Sequence, residues 1–555
     1  MSIRTTSDYL AMFTRRTLRT SRLALIIALC GAMVIVGACA PKKGEMLVDE
    51  LVKGASFHGT NGLKIGPDGN LYVASVLGKE ILILDPSTGT VIDRYGAEDG
   101  VVGPDDLVFG PDGSLYWTDI LSGEVGRRAP DGTVTKQLVA PFVNPIAFNA
   151  EGRLFVAQAF VADGLFELDP ELIGPPRQIL GTGDPTYHLN GFEFGTGGYL
   201  YAPRQQLGDL VKIDVDTGEV EVVTNAIFGE TALDSNKDLY VSGHGAIYQF
   251  DPSTGDYEVI AEVPPATDNI AFDAQDNIYI SNFRDGSIHR LSADGKLEEI
   301  SPGGMIAPGG ITVLPNAEGG ETIYVADFWT VRAYDAEDGS AGPVGMDFFF
   351  DSPFTASTDG ENLILTSWFG NTVELWDPVS QTILGFDEFN VPINAIPFMG
   401  EIVVAELGTG SVVSATLGGD RRTLAEELIV PAGLAASEDD LWVGDWASGV
   451  VYQIVKDGNS LDTPEIVVEG LTTPEGMALD EDGTLLVVES MLGQLTRVDL
   501  DSGETSVVVD GLAIGLPAAP EWPPTWFFNS VTVSKDGAIY ITGDTGIVVY
   551  RISWK

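Results

Sequence analysis

From residue 46 onward the chain is written in short apolar runs, each closed by Gly, Pro, Asp or Asn. One stretch shows the grammar. Leu63 to Ile65 is followed by the turn Pro67-Asp68-Gly69, then by Leu71-Tyr72-Val73 and by the run Ile81 to Leu84. The turn Asp85 to Gly89 comes next, and then Val91 to Arg94. Runs of this length between turn residues predict β-strands joined by hairpins. No stretch holds a sustained 3.6-residue apolar period, so almost no helix is expected.

The four-strand unit repeats. Residues 62–75 (GLKIGPDGNLYVAS) match residues 106–119 (DLVFGPDGSLYWTD), and the unit recurs from Pro145, Gly191, Glu230, Asn269, Gly310, Pro353, Asn394, Gly433, Gly476 and Ser530. A spacing of roughly 40 residues is that of four-stranded propeller blades. The fold class expected is all-β: two tandem six-bladed β-propellers with four antiparallel strands per blade. A single ring of so many blades would leave a wide, unfilled channel. A lone fourth-type strand at 46–52 and a final third-type strand at 547–552 mark a permutation by one strand. The expected closure has each ring lend its opening strand to its own last blade, hiding exposed edges. On that scheme ring one spans 46–292, the strand 296–300 opens ring two (293–555), and the rings meet near Ser292. A proline- and tryptophan-rich insertion at 513–528 breaks the rhythm. It reads as a packed cover between the rings or as a lid over a ligand.

Residues 1–38 read as an address. Five arginines precede the uncharged run from Leu23 to Ala38, which is too short for a membrane span of about 20 residues. The run ends in Val36-Gly37-Ala38-Cys39, which resembles a bacterial lipobox. That resemblance implies lipidation of Cys39, a tether over 39–45 and, with Ala40 next, an outer-membrane lipoprotein facing the periplasm or the cell surface. Thr14-Arg15-Arg16-Thr17-Leu18 also resembles a twin-arginine export signal, so the export route stays open. The only other cysteine, Cys30, lies inside the leader, so the exported chain holds no disulfide.

Composition narrows the partners. With 81 Asp and Glu against 30 Lys and Arg, the net charge is −51. Nucleic acid and anionic membrane surfaces are excluded as partners, because both need clustered Lys and Arg. The apolar content of 44% excludes a disordered chain. The expected partner is a small-molecule substrate or a protein ligand, with the membrane met only through the lipid anchor and the chain monomeric.

In a propeller the first strand of each blade lines the channel. At the first-strand starts, ring one carries Asn61, Asp105, Asn144, Asn190, Gly229 beside Glu230, and Asp268 beside Asn269. Hard oxygens converging on one axis suit Ca²⁺ or Mg²⁺. The alternative is local, since Asn and Asp also favour turns. At the second-strand ends ring two keeps acids at Asp327, Glu406, Asp445 and Glu489, read as architecture, whereas ring one departs from that rule with Ser75, Gln158, Arg204, Gly243 and Asn282.

These repeats resemble the six-bladed calcium-dependent propellers of the senescence marker protein, gluconolactonase and paraoxonase group, and NHL-type repeats more generally. Asn190-Gly191-Phe192 and Asp268-Asn269-Ile270 resemble ligand steps of that group. The resemblance implies a divalent metal, Ca²⁺ by analogy, held by Asn144, Asn190, Asp268, Asn269 and Asp105 or Asp106. It further implies hydrolysis of a lactone or ester, with His188, His244 and Glu230 as candidate acid–base groups and Asn61, His58 and Arg204 as substrate contacts. Two other readings stay open: a non-catalytic binding propeller, and a lyase resembling the streptogramin-inactivating propellers, for which His188 or His244 would face Glu230.

Overall fold

The computed structural model describes residues 46–554 apart from 160–162, 182–187, 205–206, 226–230, 235 and 346–350. The leader, the tether and Cys39 lie outside the described residues. The described chain is all-β, built as twelve four-stranded antiparallel sheets, and short 3-10 turns are the helical pieces found among the described residues. The first strands of the sheets pack side by side in two closed rings. Ring one closes where Leu63–Ile65 meets Thr267–Phe272, and ring two where Ile311–Pro315 meets Val531–Val533. The chain is thus two six-bladed propellers.

The closure differs from the one expected. Leu297–Ser301 does not open ring two. It completes the last blade of ring one by pairing with Ile288–Leu291. The reason is local. Ser292 and Lys296 close a tight turn, with the Ser292 N–H donating to the Lys296 carbonyl at 2.9 Å, and a hairpin of that length costs little loop-closure entropy. Ring one therefore runs from Leu63 to Ser301 as an unbroken series of blades. Ring two is left one strand short, and the open edge of Val548–Trp554 takes Met46–Lys53 instead. The pairing runs from Met46 opposite Trp554 to Lys53 opposite Val548. Met46–Lys53 belongs to ring two, and ring one is an insertion between that strand and the rest of ring two. The crossings are stitched by backbone bonds: Gly54 N–H to the Ile547 carbonyl (2.8 Å), Ala55 N–H to Met305 (2.7 Å) and Gly304 N–H to Asp285 (2.9 Å).

The acids at the second-strand ends do act as architecture. Asp119 accepts the N–H groups of Val102 and Gly103, both at 2.8 Å, and Asp327 those of Ile306 (2.8 Å) and Ala307 (2.6 Å). Asp445 takes Ile429 and Val430, Glu406 takes Asn390, and Glu489 takes Thr472. Each carboxylate ties the end of a second strand to the segment leading into the same blade, satisfying N–H groups that the sheet leaves unpaired.

Cores sit between neighbouring blades, and one apolar cluster spans the rings. Ala55 and Leu77 pack there with Phe328, Trp368, Trp526 and Phe527. Loop 513–528 supplies much of this contact, and the Trp526 indole N–H donates to the Leu77 carbonyl at 3.1 Å.

Removing residues 46–53 should open ring two and spare ring one. In hydrogen exchange, protection should fall across Ile539–Gly543 and Val548–Trp554 while Ile278–Asn282 keeps its own. Loss of protection at Ile278–Asn282 would show that ring one also depends on this strand.

Candidate functional site

The candidate residues of ring one sit where the strands break register. The first strands slip between Pro104 and Leu107, between Val143 and Ile146, and between Thr267 and Ile270. The residues left over by these bulges are Asp105 with Asp106, Asn144 with Pro145, and Asp268 with Asn269. A bulge re-aims side chains that a regular strand would place alternately up and down. Backbones come close at this end: the Gly62 N–H reaches the Asp105 carbonyl at 2.7 Å, and a Cβ on Gly62 would lie 2.6 Å from that oxygen.

Hydrogen bonds link these residues across blades. Asn61 Nδ2 donates to Asp268 Oδ2 at 3.1 Å, while Asn61 Oδ1 accepts the Val76 N–H at 3.3 Å. Asn144 Nδ2 donates to Asn190 Oδ1 at 3.3 Å. Asp106 is tied on both oxygens, to the Leu107 N–H (2.7 Å), the Ile146 N–H (3.1 Å) and Asn269 Nδ2 (3.4 Å), so it holds blades together. Asp105 is buried, and its carboxyl takes no hydrogen bond from the described residues.

The electrostatics follow from crowding buried acids. Burial, then the neighbouring Asp268 and Asp106, hold the Asp105 carboxyl well above the usual carboxylate range. Burial pushes Asp268 up to about 7, against the pull of the Asn61 hydrogen bond. Burial raises Asp106 to about 6, with Lys64 opposing. Lys64 also opposes the upward shift that burial imposes on Glu193. Neither Lys64 nor Glu193 stands out in the sequence.

The mouth of ring one opens into a cavity of about 130 Å³ between the rings. Asn61 and Asp105 line it from ring one, and Trp329, Trp368, Trp522 and Trp526 from ring two and its loop. Several of these rings follow a second-strand end directly: Phe283 after Asn282, Phe328 after Asp327 and Trp368 after Ser367. That repeated position was the signal available in the sequence. Beside the cavity, Glu475 Oε2 accepts the Asn529 N–H (2.8 Å) and side-chain amide (3.0 Å), and Asp544 accepts the Leu516 N–H (3.0 Å), which anchors loop 513–528.

Other candidates are placed elsewhere. His58 stacks near Phe527, and its Nε2 lies 2.7 Å from the Asp544 carbonyl oxygen. Burial holds its pKa down at about 4, so it is a neutral bridge between rings. Arg204 is buried in a two-pronged pair with Asp209 at 2.7 and 2.5 Å, its charge already answered. His188 Nδ1 lies 3.9 Å from Asp163, and His244 is solvent-exposed with a left-handed backbone. None of these four lines the cavity. Glu230 lies outside the described residues.

The donor chemistry suits a hard divalent cation. Every candidate is an oxygen or amide group, and Asp105 and Asp268 form no ion pair with a described residue. No group of three or more His, Cys, Asp or Glu poised for a metal occurs among the described residues, so amide oxygens of Asn144, Asn190 or Asn269 would have to complete the set.

No family model and no curated protein sequence matches the chain. Among solved structures, virginiamycin B lyase from Staphylococcus aureus is 15% identical, covering 51% of this chain and 96% of that one with a TM-score of 0.36. A “putative gluconolactonase” is 14% identical over 46% and 93% of the two chains, with a TM-score of 0.37. The extracellular domain of a “putative hybrid two component system” from B. thetaiotaomicron is 12% identical over 91% and 83%, with a TM-score of 0.35. None of these carries a functional residue across to this chain.

A raised Asp268 pKa means that the folded protein keeps a proton the unfolded chain releases. Stability should therefore fall as pH rises from the ordinary value of 3.8 to about 7. In metal-free protein the melting temperature should drop over that window, and Asp268→Asn should remove part of the drop, since burial also raises Asp105, Asp106 and Glu475 over the same range. An unchanged slope in the variant would contradict the assignment.

Proposed function

We propose that this chain is a divalent-cation-dependent hydrolase of a small lactone or ester, acting at the mouth of ring one. The observation that carries the reading is the pairing of buried carboxyl groups that have no cationic partner among the described residues with an aromatic cavity between the rings. The first supplies a cation-holding floor and the second a water-poor chamber for the apolar part of a substrate. Asp105 and Asp268, with amide oxygens of Asn144, Asn190 or Asn269, would hold the ion. When bound, such an ion polarises a carbonyl and acidifies a water molecule.

The chain's own residues divide the remaining work. Asn61 fixes the orientation of Asp268. Asp106 is spent in joining blades. Asp105 borders the cavity without a hydrogen bond, so it would hold the ion where a bound substrate meets it; His188 and His244 are not part of the cavity wall. A cavity of about 130 Å³ is near the size that admits a single benzene-sized ring (about 150 Å³), which favours a small lactone over a bulky one. Export and lipid anchoring through Cys39 belong to the same proposal, since the leader motif alone supports them.

Purified mature protein should contain a stoichiometric divalent metal by elemental analysis. It should hydrolyse members of a panel of five- and six-membered lactones and aryl esters, and lose that activity with chelator. Asp268→Ala and Asn190→Ala should each lower kcat/KM at least 100-fold, whereas His244→Ala should leave it within a few-fold. Metal-free protein whose melting ignores chelator, and which turns over none of the panel, would end this reading.

A further inference from the structure

The lining of the cavity between the rings is aromatic and acidic. Its walls are largely aromatic, its one ionisable lining group is Asp105, and no Lys or Arg lines it. Indole faces attract cations through the ring quadrupole, most strongly when water is excluded. The rings are set at steep angles rather than stacked flat: Trp522 and Trp526 lie 6.3 Å apart at 80°, and Trp368 and Trp522 5.7 Å apart at 60°.

The protein already uses this interaction beside the cavity. Lys79 Nζ lies 5.2 Å from the Trp526 ring, shielded from solvent and without a hydrogen-bond partner. One further group is unspent. Trp368 lines the cavity, and its indole N–H has no hydrogen-bond partner among the described residues. Asp105 is the carboxyl group a bound cation would meet, since it borders the cavity and takes no hydrogen bond from the described residues.

We infer that this cavity binds a small alkylated ammonium group, of the kind carried by choline, with its charge against the aromatic walls and Asp105. The inference names the substrate class of the site proposed above and rests on that reading only for the chemistry after binding. The binding itself depends on the cavity alone.

The test uses the full mature chain, with and without chelator, and monitors tryptophan fluorescence and calorimetry. The probes are tetramethylammonium, choline and the neutral isostere 3,3-dimethylbutanol. Choline should bind at least tenfold more tightly than the isostere. Trp329→Leu keeps the apolar volume but removes a π face, and it should bring the two ligands within about threefold of each other. Asp105→Asn should weaken choline and leave the isostere unchanged, and it serves where the tryptophan variant does not fold. Equal affinity for choline and the isostere in the unmodified protein would reduce the cavity to a greasy pocket and overturn the inference, as would binding of neither. Choline binding without hydrolysis of any lactone or ester would sustain this inference and remove the enzymatic reading. Hydrolysis indifferent to a cationic group on the substrate would do the reverse.

Discussion

The pairing of Met46–Lys53 with Val548–Trp554 is the constraint on which the rest depends. A ring with an open sheet edge is short of hydrogen bonds and exposed to unwanted pairing. Ring two removes that edge with a strand that precedes all of ring one in the sequence. Ring one is therefore held at both of its connections, and the backbone bonds at Gly54, Ala55 and Gly304 bring its mouth against ring two. Two propellers joined by a single linker would be free to swing. These are sewn together, so a chamber between them persists without a separate closing device.

That apposition changes what the acids of ring one mean. Carboxylates at an open mouth would be solvated and ordinary. Under the cover of loop 513–528 and the aromatic side chains of ring two, Asp105 and Asp268 lose water, repel one another and hold their protons to higher pH. The same cover supplies the indole faces. Electrostatic need and the means of answering it thus arise from one contact between rings. His58 belongs to that contact too, since its bond to the Asp544 carbonyl oxygen ties the rings together.

Much of this was legible in the sequence. The period of the repeat, the turn residues and the acids at the second-strand ends give blades, rings and blade ties, because each depends on neighbours within a single unit. The choice of closing strand was not legible, since 46–52 and 296–300 carry the same apolar pattern. The short turn after Leu291 decides it, and a pattern of apolar positions does not weigh loop lengths. Alignment of first-strand starts put Asp105, Asn144 and Asp268 at equivalent places, and a bulge lies at each of them in the structure. It did not separate the histidines and Arg204, which lie off the cavity wall, from these residues, because nearness to a strand end does not say which blades the other ring covers. It left out Trp329, Trp368 and Lys64, whose roles depend on contacts between blades or rings that no single repeat encodes.

The central claim is that the covered mouth of ring one is where this protein meets its ligands. The most direct test is an experimental structure of the mature chain at neutral pH, grown with Mn²⁺ and choline and phased to reveal anomalous scatterers. The expected result is an anomalous peak among Asp105, Asp268 and the neighbouring asparagine amides, with organic density in the aromatic chamber above it. A metal peak at ring two or on the outer surface, with the chamber filled by repacked side chains, would contradict it.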